Sequence, residues 1–313
     1  MDKAETFYKL FPCYLRELLY RERLQFRLLR EIRIRVGKAV LLYYGNEELV
    51  LGKAEPFVMG EREMKELMDY ICDYSLYAYE AELRQGFITT VGGHRIGIGG
   101  SVSIENGAVK TFRYISSINI RVAHEVIGTA DNLMRHLYQD GQLCNTLIIS
   151  PPGCGKTTLL RDIVRQLSDG NEAEDGRQGQ TVGVVDERSE IGGAYMGIPQ
   201  NNLGKRADII DCCPKAEGMM MLVRSMSPQV IAVDEIGHEK DVQAIETVLR
   251  SGCKLIATVH GNHMEEIMKK RMLRHIMDDQ VFERFIILQG RERVGRNRKI
   301  LDQEYQCIYE ETA

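Results

Sequence analysis

The sequence predicts an α/β protein whose main domain is a parallel sheet, preceded by a small α+β domain. From Leu143 onward, short apolar runs alternate with helical patterns, which is typical of strand–helix–strand units. The segments TLIIS, TVGVVD, QVIAVD and LIATV are the expected buried strands. A length of 313 residues accommodates about two domains. We expect an α+β domain over residues 1–122, a helical connector over 123–142 and the parallel-sheet domain over 143–313.

Composition narrows the class of protein. Apolar residues make up 44% of the chain, charged residues 27%, and the net charge is −4. These values favour a soluble globular protein and give no support to nucleic-acid binding. No apolar run reaches the roughly 18 residues that a membrane span needs, and the first residues mix charges through their apolar positions, unlike an export signal. Eight cysteines without a C-x-x-C pair predict reduced thiols in a cytosol.

The first domain is predicted from changes in periodicity. Residues 14–31 are leucine-rich and charged, which predicts a helix. Ile32 and Ile34 then alternate with Arg33, the period of a half-buried strand. Residues 61–86 predict one or two helices that end at Gly86. The following segment, GFITTVGGHRIGIGGSVSIENGAV, is β-branched and punctuated by glycine, which predicts short strands with tight turns.

A phosphate-binding loop follows the first strand of the main domain. The strand TLIIS runs into PPGCG, and a helix is expected to open at Lys156. Main-chain N–H groups at a helix N-terminus attract phosphate oxygens, and glycines let the backbone curl around them. The common pattern G-x-x-x-x-G-K-[ST] has glycine where Ser150 stands. The residues predicted to contact the nucleotide are Ser150, Pro151, Pro152, Gly153, Cys154, Gly155, Lys156, Thr157 and Thr158.

A second acidic strand is predicted at QVIAVDEIG. Asp234 and the hydroxyl of Thr157 are expected to hold Mg²⁺, and Glu235 is expected to polarise the attacking water. DEIG also matches a GTPase signature, but no guanine-reading N-K-x-D element follows it. A further strand at 181–186 lies between Lys156 and Asp234 in the chain. That strand, together with Glu235, resembles the additional-strand ATPases, which include RecA-like and AAA+ proteins.

Two more strand ends supply polar side chains. Strand 181–186 is followed by Glu187 and Glu190, which we expect at the carboxyl edge of the sheet, where open α/β sheets bind ligands. The strand LIATVHGN brings Thr258 and His260 to the same edge. Thr258 is a candidate sensor of the γ-phosphate, and His260 a candidate hydrogen-bond partner of that phosphate or of the water.

In order and spacing, the segments SPPGCGKT, VVDERSE, VIAVDE and ATVHGN resemble the secretion-ATPase superfamily over about residues 143–265. A wider resemblance covers nearly the whole chain. It rests on EIRIRVGKAV, GFITTVGGHRIGIGG, SINIRVAHEVIG, SPPGCGKTTLLRD, GVVDERSEI, RADIIDCCPKAEGMMMLVRSMSPQVIAVDEIG and ATVHG. In these segments the chain resembles the stage III AA family of sporulation proteins of endospore-forming bacteria.

The resemblance implies an ATPase in the mother-cell cytoplasm that works with integral membrane proteins of its own operon. Together they would form a channel toward the forespore, with the ATPase attached peripherally to the facing membrane. It also implies a homo-oligomer, expected to be a hexamer. Arg206 and Arg224 are then candidate arginines that act across a subunit boundary, and Arg95 and Arg121 are candidates to reach the nucleotide from the first domain.

Other interpretations of the sequence stay open at this point. RERVGRNRKI is predicted to be a solvated face, with contact to an anionic membrane or acidic partner as the alternative. A related plastid and cyanobacterial group joins a similar core to a single-strand-binding module, in which an arginine precedes a histidine by four residues. Arg271 and His275 have that spacing, although nucleic acid is not the expected partner. A nucleotide-binding scaffold without hydrolysis is a third possibility, which Glu235 argues against.

Overall fold

The computed structural model describes residues 3–75, 79–172, 176–289 and 297–311. These form two compact units, one of residues up to 125 with 193–201, the other of 126–192 with 202 onward. Helices of the first unit are α1 (Lys3–Tyr8), α2 (Cys13–Arg21), α3 (Glu61–Ile71) and α4 (Glu80–Gln85). Its strands are β1 (Leu29–Arg35), β2 (Leu41–Tyr44), β3 (Glu47–Val50), β4 (Phe87–Thr89), β5 (Arg95–Glu105) and β6 (Ala108–Arg121).

The first unit is built on one antiparallel sheet with the strand order β3-β2-β1-β6-β5-β4. The predicted alternation in β1 is confirmed, because Ile32 and Ile34 are fully buried in the core. Gly86 ends α4 in a left-handed conformation (φ 81°), as predicted for a glycine at a helix C-terminus. The helix predicted over 14–31 is shorter than expected, since α2 ends at Arg21 and Arg23 takes a positive φ of 50°.

The second unit holds the predicted parallel sheet. Its strands are β7 (Tyr138–Gln139), β8 (Gln142–Leu143), β9 (Thr146–Ser150), β10 (Val182–Asp186), β11 (Ala207–Asp211), β12 (Val230–Val233), β13 (Lys254–His260), β14 (Arg284–Gln289), β15 (Asn297–Leu301) and β16 (Cys307–Glu311). Its helices are α5 (Lys156–Asp169), α6 (Lys215–Ser225), α7 (Glu239–Arg250), α8 (Met264–Lys269) and α9 (Arg274–Asp278). None of the helices in the described ranges is long and apolar enough to cross a membrane.

The order of the large sheet is β11-β10-β12-β13-β9-β14-β15-β16. All pairs from β11 to β14 are parallel, and β15 and β16 continue the sheet as an antiparallel hairpin. Both faces are covered: Leu147 and Ile149 belong to one core cluster, Ile148 to the other. In the sheet, the strand between β9 and β12 is β13. The strand at 181–186 is β10, which lies on the far side of β12.

The segment 123–142 is not the expected helix. It contains a four-residue 3₁₀ helix (Met134–Leu137) and then the β7–β8 hairpin. Asp140 and Gly141 form the hairpin turn with positive φ values of 50° and 77°, the conformation that Asp-Gly favours in two-residue β-turns. Upstream, the main-chain N–H of Ala130 donates to the Asp162 carboxylate (2.8 Å) instead of forming a helical bond. Side-chain capping and turn chemistry therefore override the helical pattern here.

Residues 193–201 belong to the first unit although the flanking chain belongs to the second. Within the first unit, the Tyr79 and Tyr195 hydroxyls lie 3.3 Å apart, and the N–H of Gly92 donates to the Gln200 side chain (2.9 Å). Lys3 Nζ donates to Asn201 at 2.6 Å. The domain predicted over 143–313 thus contributes one segment to the other unit, which no local pattern of the sequence indicates.

Candidate nucleotide-binding site

The phosphate loop joins two rigid elements. Every residue of β9 is buried, and α5 begins at Lys156 directly after the loop. Gly153 and Gly155 have positive φ values of 78° and 86°, a region that side chains disfavour. The loop therefore needs glycine at these two positions, as the motif predicts. Ser150 is fully buried, and its hydroxyl donates to the carbonyl oxygen of Pro151 at 2.9 Å.

Lys156 lies at the centre of a polar cluster at the carboxyl edge of the sheet. Its Nζ is 3.2 Å from Glu235 Oε2, 3.6 Å from Asp234 Oδ1 and 3.4 Å from His260 Nε2. The lysine is 8% exposed, so its charge is held in a largely desolvated position. Residues from α5, from the end of β12 and from the end of β13 thus meet at one point, as the sequence predicted from strand ends.

Asp234 connects the loop helix to the neighbouring strand. The Thr157 hydroxyl donates to Asp234 Oδ2 at 2.8 Å, and the Thr258 hydroxyl donates to Asp234 Oδ1. The Thr258 oxygen also accepts the main-chain N–H of Glu235 at 2.8 Å. A hydroxyl beside a carboxylate is a set of hard oxygen donors that fits Mg²⁺. Thr258, predicted as a phosphate sensor, here fixes the position of the two acidic residues.

Glu235 is held by three positively charged or imidazole groups. Besides Lys156, its Oε2 lies 3.1 Å from Arg188 Nη1, and its Oε1 lies 2.9 Å from His260 Nε2. Glu235 has a positive φ of 57°, a strained conformation that the surrounding structure must stabilise. Burial raises the pKa of Glu235, but Lys156, His260 and Arg188 lower it more, so the pKa lies below its ordinary value. The carboxylate is therefore ionised at neutral pH.

His260 has one engaged and one unengaged ring nitrogen. Its Nε2 faces Glu235 and Lys156, whereas Nδ1 is buried without a hydrogen-bond partner among the described residues. A hydrogen bond from Lys270 Nζ to the carbonyl oxygen of His260 stabilises the end of this strand. The imidazole therefore stands beside the acidic pair as predicted.

The loop after β10 is organised by Asp186, which is 1% exposed. Its carboxylate accepts main-chain N–H bonds from Glu190, Ile191 and Gly192, each at 2.8 Å. Of the two predicted catalytic glutamates, Glu187 pairs with Lys215 of α6, and Glu190 is exposed. This strand end therefore shapes the loop more than it adds carboxylates to the Lys156 cluster.

Three basic residues at the site were not predicted from the sequence. Arg188 contacts Glu235, Lys215 contacts Glu187, and Arg161 donates to the carbonyl oxygens of two loop residues, at 2.6 Å each. Arg188 stands inside the DERSE motif and Arg161 inside GKTTLLRD, so their position in the motifs is the only signal. Their partners are distant in the chain, and sequence spacing does not reveal them.

Two of the four predicted arginines, Arg206 and Arg224, belong to the second unit. Arg206 Nη1 donates to the carbonyl oxygen of Ser168 (3.0 Å) in the last turn of α5, and Arg224 is in the last turn of α6. Because α5 begins at the phosphate loop, its last turn lies at the opposite edge of the sheet. Helix α6 also starts at the carboxyl edge, after β11, and leads back toward the start of β12. Both arginines thus lie away from the phosphate loop of their own chain.

In the first unit, the Arg95 guanidinium lies 3.7 Å from the centre of the Phe87 ring. Arg121 Nε is 3.9 Å from Glu31 Oε2. A role of either arginine at the nucleotide stays a prediction.

Of the basic C-terminal stretch, Arg291, Arg293 and Arg296 lie outside the described residues. Arg298 is 8% exposed and donates to the carbonyl oxygen of Thr129, so it is a structural residue and not part of a solvated face. Lys299 pairs with Glu310 at 2.9 Å. In the region of the predicted strand-binding pair, His275 Nδ1 contacts Asp279 at 2.9 Å. A role of Arg271 and His275 in nucleic-acid binding stays an untested alternative.

Comparison with solved structures shows the fold. The chain superposes on the ATPase DotB of Legionella pneumophila with a TM-score of 0.62 and 18% identity, covering 94% of this chain and 81% of that one. The pilus retraction motor PilT with bound ADP gives a TM-score of 0.59 at 15% identity, over 95% and 83%. At these identities the two likenesses show that the chain shares the fold of these proteins.

Sequence comparison identifies the family. The uncharacterised protein ycf45 of Porphyra purpurea is 32% identical over 179 residues, 53% of this chain but only 30% of that protein. Stage III sporulation protein AA of Bacillus subtilis is 42% identical over 277 residues, which are 88% of this chain and 87% of that protein. The family model for sporulation stage III, protein AA matches residues 1–308. The chain therefore belongs to the stage III sporulation protein AA family.

Proposed function

We propose that this protein is a Mg²⁺-dependent ATPase that converts ATP and water into ADP and phosphate. The observation that carries the proposal is the convergence of Lys156, Thr157, Asp234, Glu235 and His260 at the end of the phosphate loop. Each group has the chemistry that phosphoryl transfer needs, and the five come from helix α5 and the ends of strands β12 and β13. A simple strand-to-helix turn would not require acidic residues from β12 or an imidazole from β13.

Each of these residues has a role in hydrolysis that follows from its position. The N–H groups of residues 153–158 and the charge of Lys156 bind phosphate oxygens, while Ser150, Pro151 and Pro152 shape the loop. Thr157 and Asp234 would hold Mg²⁺, which would neutralise charge on the phosphates. Glu235 takes a proton from the attacking water, and His260 hydrogen-bonds the transferred phosphate. Glu187 and Glu190 act indirectly in hydrolysis, by shaping the loop after β10.

The finer class that we propose is the additional-strand group of P-loop ATPases, RecA-like or AAA+. Strand β13 lies between the phosphate-loop strand β9 and the acidic strand β12, and it carries Thr258 and His260. We also propose that the protein acts as a homo-hexamer. Because Arg206 and Arg224 lie away from the phosphate loop of their own chain, an arginine supplied by a neighbouring subunit fits them better than a role within one subunit.

In the cell, we propose that the hexamer is a motor in the mother-cell cytoplasm. Its partners are integral membrane proteins of the same sporulation operon, through which it attaches to the membrane facing the forespore. Hydrolysis would drive assembly of, or transport through, a channel between the two cells. Family membership and the secretion-ATPase fold support this proposal. Arg95 and Arg121 are its candidate nucleotide contacts from the first unit.

Steady-state ATP hydrolysis with Mg²⁺, measured over a range of protein concentrations, tests the proposal. Lys156→Ala should lower turnover by about 10²–10³-fold because it removes a charge that stabilises the phosphates. Glu235→Gln should lower turnover by about 10²–10⁴-fold and retain ATP binding. Arg250→Ala is the matched control, since that side chain is 81% exposed on α7. A wild-type protein that binds ATP but never hydrolyses it would support a scaffold role instead.

A further inference from the structure

Arg188 contacts the proposed general base Glu235 directly, yet the proposed mechanism has no use for it. It lies two positions after β10, and its Nη1 is 3.1 Å from Glu235 Oε2. The same oxygen contacts Lys156 Nζ at 3.2 Å, and the other carboxylate oxygen contacts His260 Nε2 at 2.9 Å. Both oxygens of the general base are therefore in contact with side chains of the protein itself.

The loop that carries Arg188 is fixed at its base. Asp186 accepts three of its main-chain N–H groups, and Arg161 of α5 donates from Nε to the carbonyl oxygen of Ile191 and from Nη2 to that of Glu190. The Arg188 side chain itself is 59% exposed. A fixed backbone with a long, exposed side chain lets the guanidinium leave Glu235 without unfolding the loop.

The three contacts of Glu235 differ in what would break them. Phosphate oxygens attract Lys156 away from Glu235, and His260 has the phosphate as an alternative partner. A general base must come within hydrogen-bond reach of the water whose proton it takes. Oxygens that already contact protein side chains are less available to that water. Arg188 is the contact that nothing in the proposed mechanism removes. We propose that Arg188 restrains the Glu235 carboxylate and that its withdrawal limits hydrolysis, an inference that rests on the proposed ATPase function.

The loop that carries Arg188 is joined directly to a segment of the first unit. The loop of Arg188 ends at Gly192, and the chain continues directly into residues 193–201, which pack within the first unit through Tyr195 and Gln200. Arg188 is thus a positioning residue, and its effect is expected on turnover and not on nucleotide affinity.

The test compares kcat and KM for ATP in the full-length wild type, Arg188→Ala and Arg188→Lys. An ion pair this exposed is weak, so Arg188→Ala should raise kcat by about two- to fivefold with KM changed less than twofold. Arg188→Lys keeps a cation within reach of Glu235 and should stay near the wild type. Arg250→Ala controls for removal of an exposed arginine from the same unit, and thermal unfolding checks that each variant is folded.

The outcomes separate this inference from the proposed function. If Arg188→Ala is folded and its kcat equals or falls below that of the wild type, the restraint is wrong although the ATPase function stands. A rise in KM beyond about tenfold would make Arg188 a phosphate contact instead of a restraint on Glu235. If the wild type hydrolyses no ATP at any concentration, the proposed function itself fails, and the restraint fails with it.

Discussion

The buried Asp186 carboxyl predicts how the stability of the second unit depends on pH. Burial raises the pKa of Asp186 to about 7, and nearby Asp211 contributes to the rise, while N–H bonds from residues 190–192 oppose it. The ordinary value is 3.8. Between these two values the folded protein keeps a proton that the unfolded chain has lost. Stability should therefore fall as the pH rises from about 4 to about 7.

The size of the effect follows from the two pKa values. The difference between 3.8 and about 7 corresponds to roughly 4 kcal/mol when the whole range is crossed. From about pH 5 to about pH 7, the loss should be about 2–3 kcal/mol. In Asp186→Asn the amide resembles the protonated carboxyl, with one acceptor oxygen. The variant should match the wild type near pH 4 and become the more stable protein by roughly 4 kcal/mol near pH 7.5.

Urea unfolding of wild type and Asp186→Asn at a series of pH values measures this difference. Asp208→Asn is the matched control, because Asp208 is exposed on the neighbouring strand β11. The control should follow the wild type at every pH. Parallel curves for wild type and Asp186→Asn would refute the reasoning, since they would mean that the three N–H bonds keep the carboxyl ionised throughout.

Two further predictions concern the loop and the packing behind it. Ser150→Gly should change ATP affinity by about threefold or less, because the hydroxyl donates to the adjacent Pro151 carbonyl and its loss acts mainly on stability. Titration with a fluorescent ATP analogue measures the affinity. A large gain in affinity would show that serine holds the loop in a poor conformation for binding. Gly218→Ala in α6 places a Cβ 2.5 Å from Val185 Cγ1 and should lower the free energy of unfolding by about 1–3 kcal/mol. Combining it with Val185→Ala should recover part of the stability that overpacking removes. A Gly218→Ala protein as stable as the wild type would contradict the contact.

Local patterns were sufficient for much of the fold and the site. Strands β9, β10, β12 and β13 were predicted as short apolar runs, because strands buried on both faces need an apolar side chain at nearly every position. The phosphate loop was equally local, since Gly153, Gly155 and Lys156 act within a few residues of each other. Asp234 and His260 were predicted because parallel strands bring their carboxyl ends to one edge.

Only the tertiary structure decided the contacts between residues that are distant in the chain. Sequence order did not reveal that β13 lies between β9 and β12, because strand pairing depends on the packing of the whole sheet. The Asp140–Gly141 turn was local but was outweighed by the helical pattern around it. Arg188 and Glu235 are 47 residues apart, and their contact exists only because β10 and β12 are neighbours. The sequence thus determined which residues carry the chemistry, and the order of the strands decided which of them restrain one another.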